Sequence, residues 1–242
     1  MQPDVSLRRA LDHVYETFKV YSPPRVLEAS PLRDPVEILN ALTAAPLQML
    51  SVENVESYVI SALTTVGNVQ DYKHFLPRIL ELAVESALVE PEIIASKLRY
   101  AGWHNWPLQE QRTVADVFYT AGNQALNAHP DEYLADGWLC GIAILRLDIR
   151  EILQAWQSAQ SAGASLQRAH LLTASLFESD LDERGYWSEV DETTIHTIQK
   201  WLLSQEARAD LLASRSLVSA NDIWLLEKAV EMQERLIASR LQ

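Results

Sequence analysis

Apolar residues recur at three- and four-residue steps along almost the whole chain, and no alternating run extends beyond a few residues. Leu7, Leu11, Val14, Phe18 and Tyr21 mark a first helix, closed by Ser22-Pro23-Pro24. A proline-rich loop leads to Asp34, a good N-cap, and to Pro35 as first helical residue of a short helix ending near Pro46. Ser51 caps the next helix, whose stripe Val52, Val55, Val59, Ala62, Leu63 and Val66 predicts helix up to Gly67-Asn68. Leu76, Ile79, Leu80, Ala83 and Ala87 follow, with Pro77 either in a first turn or at a kink. Pro91 opens a helix with Ile93, Ile94, Leu98 and Ala101 inward, and Gly102 terminates it.

Pro107 begins a long helix, lined by Val114, Ala115, Phe118, Ala121 and Ala125 and broken at His129-Pro130-Asp131. Trp138 to Leu147 is apolar nearly all round, the pattern of a helix buried on several sides. Asp148 caps a helix through Ile149, Ile152, Leu153 and Trp156, which Gly163 punctuates. Leu166, His170, Thr173, Ala174 and Phe177 form the next face, on which His170 reads as a core or surface neighbour rather than a ligand. Ile195, Ile198, Trp201 and Leu202 follow, and a shorter run reaches Leu217. Asn221 or Asp222 caps a last helix with a wide apolar face, Ile223 to Leu236, expected to dock on the body.

The fold class expected is all-α, about eleven helices at roughly one pair per 40 residues, the spacing of HEAT or armadillo repeats. No repeat aligns with another. Antiparallel pairs stacked as an irregular α-solenoid lead over a globular helical array. One domain over 1–242 is expected, with a soft boundary near 127–131.

Composition agrees with helix throughout: glycine numbers only 7, while alanine and leucine abound. A net charge of −13 disfavours nucleic acid and anionic membrane and leaves a basic protein partner open. Cys140 is alone, so no disulfide framework and no thiolate zinc site can form. Polar Met1–Arg9 does not resemble a signal peptide, and no apolar run reaches the ~18 residues of a membrane span, so a cytoplasmic protein is expected.

Chemistry is sparse. Phosphate loops, cysteine pairs, His-Glu-x-x-His and nucleophile elbows are missing, and no cofactor is implied. Asp180 to Asp191 fits a calcium loop at several positions, but Arg184 stands where position five needs an oxygen. Glu192 and His196 have one residue too many between them for a Glu-x-x-His metal pair. The densest charge is Glu178 to Glu192, seven acids against one base, and it makes Asp180, Asp182, Glu183 and Asp191 a candidate acidic surface for a basic partner. Its plainer reading is a solvated loop.

The other candidate is a basic, aromatic corner: His74, Arg78, Arg99, Trp103, His104 and Trp106. These could serve a small-ligand binder or an enzyme. Alternatively the tryptophans plug a helix corner while the cations pair with Glu81, Glu85, Glu90, Glu92 and Glu110. The pattern Asp71-Tyr72-Lys73-His74-Phe75-Leu76-Pro77-Arg78, Lys97-Leu98-Arg99-Tyr100-Ala101-Gly102-Trp103 and Trp106-Pro107, with Glu110-Gln111, resembles a segment of uncharacterised bacterial all-helical proteins. That resemblance covers about a sixth of the chain, implies a helical fold and a bacterial source, and transfers no catalytic residue. A non-enzymatic interaction or scaffold protein is therefore the leading expectation.

Overall fold

The computed structural model describes residues 1–86, 88–178 and 183–239. Among these, twelve α-helices and several 3-10 turns account for the regular structure, with two isolated β-bridges and no strand. The protein is all-α. Among the described residues, no helix is long and apolar enough to cross a membrane.

The chain packs as two compact units, Met1–Ala121 and Gly122–Gln242. Their division falls inside one helix, Leu108–Ala125, rather than in the 127–131 loop.

In the first unit, α1 (Val5–Phe18) starts at Asp4, whose carboxylate accepts the Leu7 N–H at 2.8 Å. Its apolar stripe of Leu7, Leu11, Val14 and Phe18 is fully buried, and α1 packs along α4 (Val69–Glu85). α2 (Pro35–Leu42) begins at the expected Asp34–Pro35 pair and packs on α3 (Val52–Ser61). α3 starts in a capping box between Ser51 and Asn54. It stops at Ser61, short of the Val66 that its periodicity predicts. Leu63 takes a positive φ of 66°, and the Ser61 carbonyl accepts both the Thr65 and Val66 N–H groups, so Ala62 to Val66 closes into a turn. Val66 still reaches the core, but from that turn.

Asn68 then caps α4: its side chain accepts from Gln70 and Asp71, while the Asp71 carboxylate takes the Asn68 N–H at 3.0 Å. Pro77 lies inside this 17-residue helix, not at its start. The proline removes the bond that residue 77 would donate to the Lys73 carbonyl. Burial of Tyr72, Phe75, Leu76, Ile79, Leu80 and Ala83 on both sides of it outweighs that loss, each large side chain contributing about 1.5–3 kcal/mol. Ala87, assigned to this stripe from sequence, lies outside the described residues. α5 (Pro91–Tyr100) packs on α3 and α4 and ends at Gly102 in the left-handed region, φ 65°. A short turn, Trp103–Asn105, leads to α6 (Leu108–Ala125).

The second unit is built on α7 (Asp136–Ile144), in which every residue from Trp138 to Ile144 is buried. α8 (Ile149–Ser158) and the turn Gly185–Glu189 pack against it. α9 (Ala162–Leu171) starts at Ser161, whose hydroxyl accepts the Ala164 N–H. Gly163 therefore sits in its first turn and ends nothing. A Cβ there would lie 2.1 Å from the Asn127 carbonyl oxygen, so the glycine permits backbone to approach backbone. α10 (Glu192–Leu202), α11 (Gln205–Ala213) and α12 (Ile223–Ser239) complete the unit, α12 packing on α9 and α11. The wide apolar face expected of α12 is only partly used: Leu226, Ala229 and Gln233 are its buried residues.

Candidate functional site

Three basic residues, Lys73, His74 and Arg78, leave α4 on neighbouring faces, and each meets a different fate. Lys73 points inward. Its ammonium lies 2.7 Å from Glu110 Oε2 and 3.0 Å from the Tyr21 hydroxyl, 4.1 Å over the Trp106 ring and 4.9 Å over the Tyr21 ring. The other Glu110 oxygen accepts from the Tyr21 hydroxyl at 2.5 Å. Burial, followed by the Glu110 carboxylate, pushes that hydroxyl above its ordinary range. Side chains of Lys73 and Glu110 are 6% and 7% exposed, so this is a buried ion pair closed by an aromatic box. It joins α4, α6 and the chain just beyond α1.

Arg78 is equally engaged. Its Nε donates to the Leu50 carbonyl at 2.7 Å, and its guanidinium pairs with Glu81 at 2.7 Å and Glu85 at 3.5 Å. Glu81 also accepts from Tyr15 at 2.6 Å and from Arg8 at 3.2 Å. The group ties α1, α4 and the Leu47–Met49 turn together.

His74 is the one that meets open space. It lines a 460 Å3 cleft with Tyr15, Phe18, Tyr21, Leu47 and Pro77. Its Nδ1 lies 2.8 Å from the Tyr21 carbonyl, which can only accept, so Nδ1 carries the proton and neutral His74 keeps a lone pair on Nε2.

The six corner residues nominated from sequence do not converge. His74 alone of them lines this cleft. Trp103 and Trp106 are buried, and Trp106 donates its indole N–H to the Ala101 carbonyl at 3.2 Å while Phe18 meets its ring edge-on. Arg99 is exposed in the last turn of α5, where a cation complements the helix dipole. His104 is exposed, its Nε2 3.1 Å from the Asn105 amide and its carbonyl accepting from Gln111. The expected pairing of the cations holds for Arg78 with Glu81 and Glu85. Lys73, not among the six, takes Glu110.

In the second unit, Asp180 and Asp182 of the acidic segment lie outside the described residues. Glu183 is exposed. Asp191 is the N-cap of α10, accepting the Thr194 N–H at 3.0 Å and its hydroxyl at 2.8 Å; these bonds hold its carboxyl below the usual range. Arg184 pairs with Glu192 at 2.7 Å and donates to the Glu178 carbonyl. Among the described residues no group of three or more His, Cys, Asp or Glu is arranged to hold a metal ion.

Two features escaped the sequence reading. Arg168 is buried in α9, donating to Asp210 at 2.9 Å and to the Trp156 carbonyl, with its guanidinium 5.0 Å over the Trp201 ring. Its phase with Ala164 and Leu171, both buried, was the available signal. The second is a groove of 290 Å3 between α11 and α12, floored by Leu211, Leu226 and Val230. Here the unused apolar face of α12 lies open. No family model matches the chain, and no curated protein or solved structure matches it.

Proposed function

We propose that the protein is a non-enzymatic interaction module that binds another protein, one of basic character. The observation that carries this reading is a contrast within the molecule. Arg78, Trp103 and Trp106, nominated from sequence as a site, and Lys73 beside them are engaged in holding helices together. The groove between α11 and α12, by contrast, offers apolar side chains to solvent between charged rims. With a net charge of −13, the long-range field favours cationic partners.

Stacked helix pairs of the HEAT or armadillo kind belong to the same proposal. Consecutive packing of α2, α3, α4 and α5 supports them in the first unit, while the α9–α12 contact is of the kind found in a globular array. A bacterial cytoplasm is the setting proposed, on the resemblance of the Asp71–Gln111 segment and on a single, buried cysteine.

The test is retention on the immobilised protein from a lysate of the source cell, at low and high salt. Basic proteins released as the salt rises are expected, since screening beyond ~8 Å removes steering first. A bound metabolite with no retained protein would overturn the reading. That outcome would favour small-ligand binding at the His74 cleft instead, where Nε2 makes no hydrogen bond among the described residues; the ligand should then raise the melting temperature of the parent but not of His74→Ala.

A further inference from the structure

The His74 cleft of the first unit has the build of a small-molecule site. Its 460 Å3 falls within the ~300–1,000 Å3 of ligand pockets. Three segments wall it: the end of α1 with the chain just beyond, the turn around Leu47, and α4. Aromatic rings come from the first of these, as Tyr15, Phe18 and Tyr21. Phe18 is fixed by burial and by the Trp106 ring 6.2 Å away, and the two tyrosines are held at their hydroxyls by Glu81 and Glu110. Pro23, Pro46 and Pro77 add rings that have no rotamer freedom to lose. A wall tied down in this way needs little ordering when a ligand arrives.

With the tyrosine hydroxyls committed, few polar groups are left for a ligand. His74 Nδ1 donates to the Tyr21 carbonyl at 2.8 Å, which makes Nε2 of the neutral ring an acceptor only. Among the described residues Nε2 makes no hydrogen bond, and neither do the Ser22 hydroxyl and the Gln48 side-chain amide. An acceptor-only nitrogen calls for a donor on the ligand. The charged side chains of the lining, Glu16 and Lys19, pair with each other at 2.5 Å, so with neutral His74 the lining sums to zero. A cleft without net charge gives an ion nothing to repay the water it sheds on entry.

We infer that this cleft binds a small, uncharged, planar heteroaromatic molecule, its ring N–H or amino group donating to His74 Nε2 and its apolar body lodged among Tyr15, Phe18 and Tyr21. This goes beyond the reading of the protein as an interaction module and does not depend on it.

The experiment titrates the full chain with indole, with 1-methylindole, which keeps the ring system but has no N–H donor, and with the anion indole-3-carboxylate. Saturation-transfer NMR follows each. Expected is saturable binding of indole, about tenfold tighter than either analogue, the worth of one net hydrogen bond. His74→Asn keeps an N–H toward the Tyr21 carbonyl and removes the Nε2 acceptor. It should weaken indole about tenfold and leave 1-methylindole unchanged. His74 is half-buried, so a measurement on the parent stands beside the variant: the His74 Nε2 nitrogen-15 resonance should move on addition of indole and stay in place with 1-methylindole. Equal affinity for indole and 1-methylindole, tighter binding of the carboxylate, or no saturable binding of indole overturns the assignment. So does undiminished indole binding to His74→Asn, or an Nε2 resonance that indole leaves unmoved. Retention of a protein from lysate is a separate observation, so the cleft and the module reading stand or fall apart from each other.

Discussion

Lys73 and Glu110 make the sharpest test of how the first unit is held together. At 2.7 Å and an effective dielectric of ~20, the two charges attract by about 6 kcal/mol, and removing each from water costs several kcal/mol. The pair is thus near break-even against an apolar pair, whereas half of it is not. Lys73→Met leaves a buried carboxylate with only Tyr21 to donate, and Glu110→Leu leaves a buried ammonium over two rings. Each should lower the unfolding free energy by about 3–5 kcal/mol. The double variant removes both charges and leaves only the Tyr21 hydroxyl short of partners, a cost of about 1–3 kcal/mol. The coupling energy of the cycle should then reach about 3 kcal/mol or more, at the upper end for neighbouring residues. Urea unfolding followed by far-ultraviolet circular dichroism, with comparable m-values across the four proteins, measures it. Singles whose costs add to the double within about 0.5 kcal/mol would refute the closed-box account.

Other expectations are more local. Trp106→Ala should cost about 3–5 kcal/mol, since the ring is buried and also covers the Lys73 ammonium; melting like the parent's would place the ring in solvent. Gly163→Ala sets two effects against each other: helix propensity gains at most about 1 kcal/mol, while a Cβ 2.1 Å from a backbone oxygen costs about 1–3 kcal/mol or more. Net destabilisation in urea is expected, and a stabilised variant would mean that the backbones part freely. Asp191→Ala should remove a cap worth about 1 kcal/mol. Because hydrogen bonds from Thr194 lower its folded pKa, that stability is present in full above the ordinary value of 3.8 and is lost as pH falls through the folded value. Parent and variant melting curves should therefore converge in acid, and a constant gap down to the lowest pH would count against the capping role.

Local rules carried much of the fold. Asp34, Ser51 and Asp148 cap helices because short polar side chains satisfy orphan N–H groups wherever they precede an apolar period. The all-round apolar run of α7 announced its burial. What failed was the tertiary part. Leucine is a poor choice for the left-handed region, so nothing local marked Leu63 as the end of α3. Gly163 reads as a terminator from sequence, because the carbonyl that demands a glycine belongs to residue 127. Lys73 and Arg168 sit in phase with apolar stripes, but their partners, Glu110 and Asp210, lie 37 and 42 residues away. For the site, sequence gathered basic and aromatic residues between Lys73 and Trp106 and could not say which way each would face. The face of α12 reads as wide from sequence; only packing reveals that part of it is left open among the described residues.

A helix with no solvent side has a kinetic consequence. Trp138 to Ile144 of α7 are buried among the other elements of the second unit, so water reaches the amides of this segment only when the surrounding packing comes apart. Exchange there requires cooperative opening of the unit, and these amides should be its slowest to take up deuterium. α12, anchored by three buried residues out of seventeen, can detach at a far smaller cost. The groove that α12 helps to form is therefore bounded by a helix that opens before α7 does.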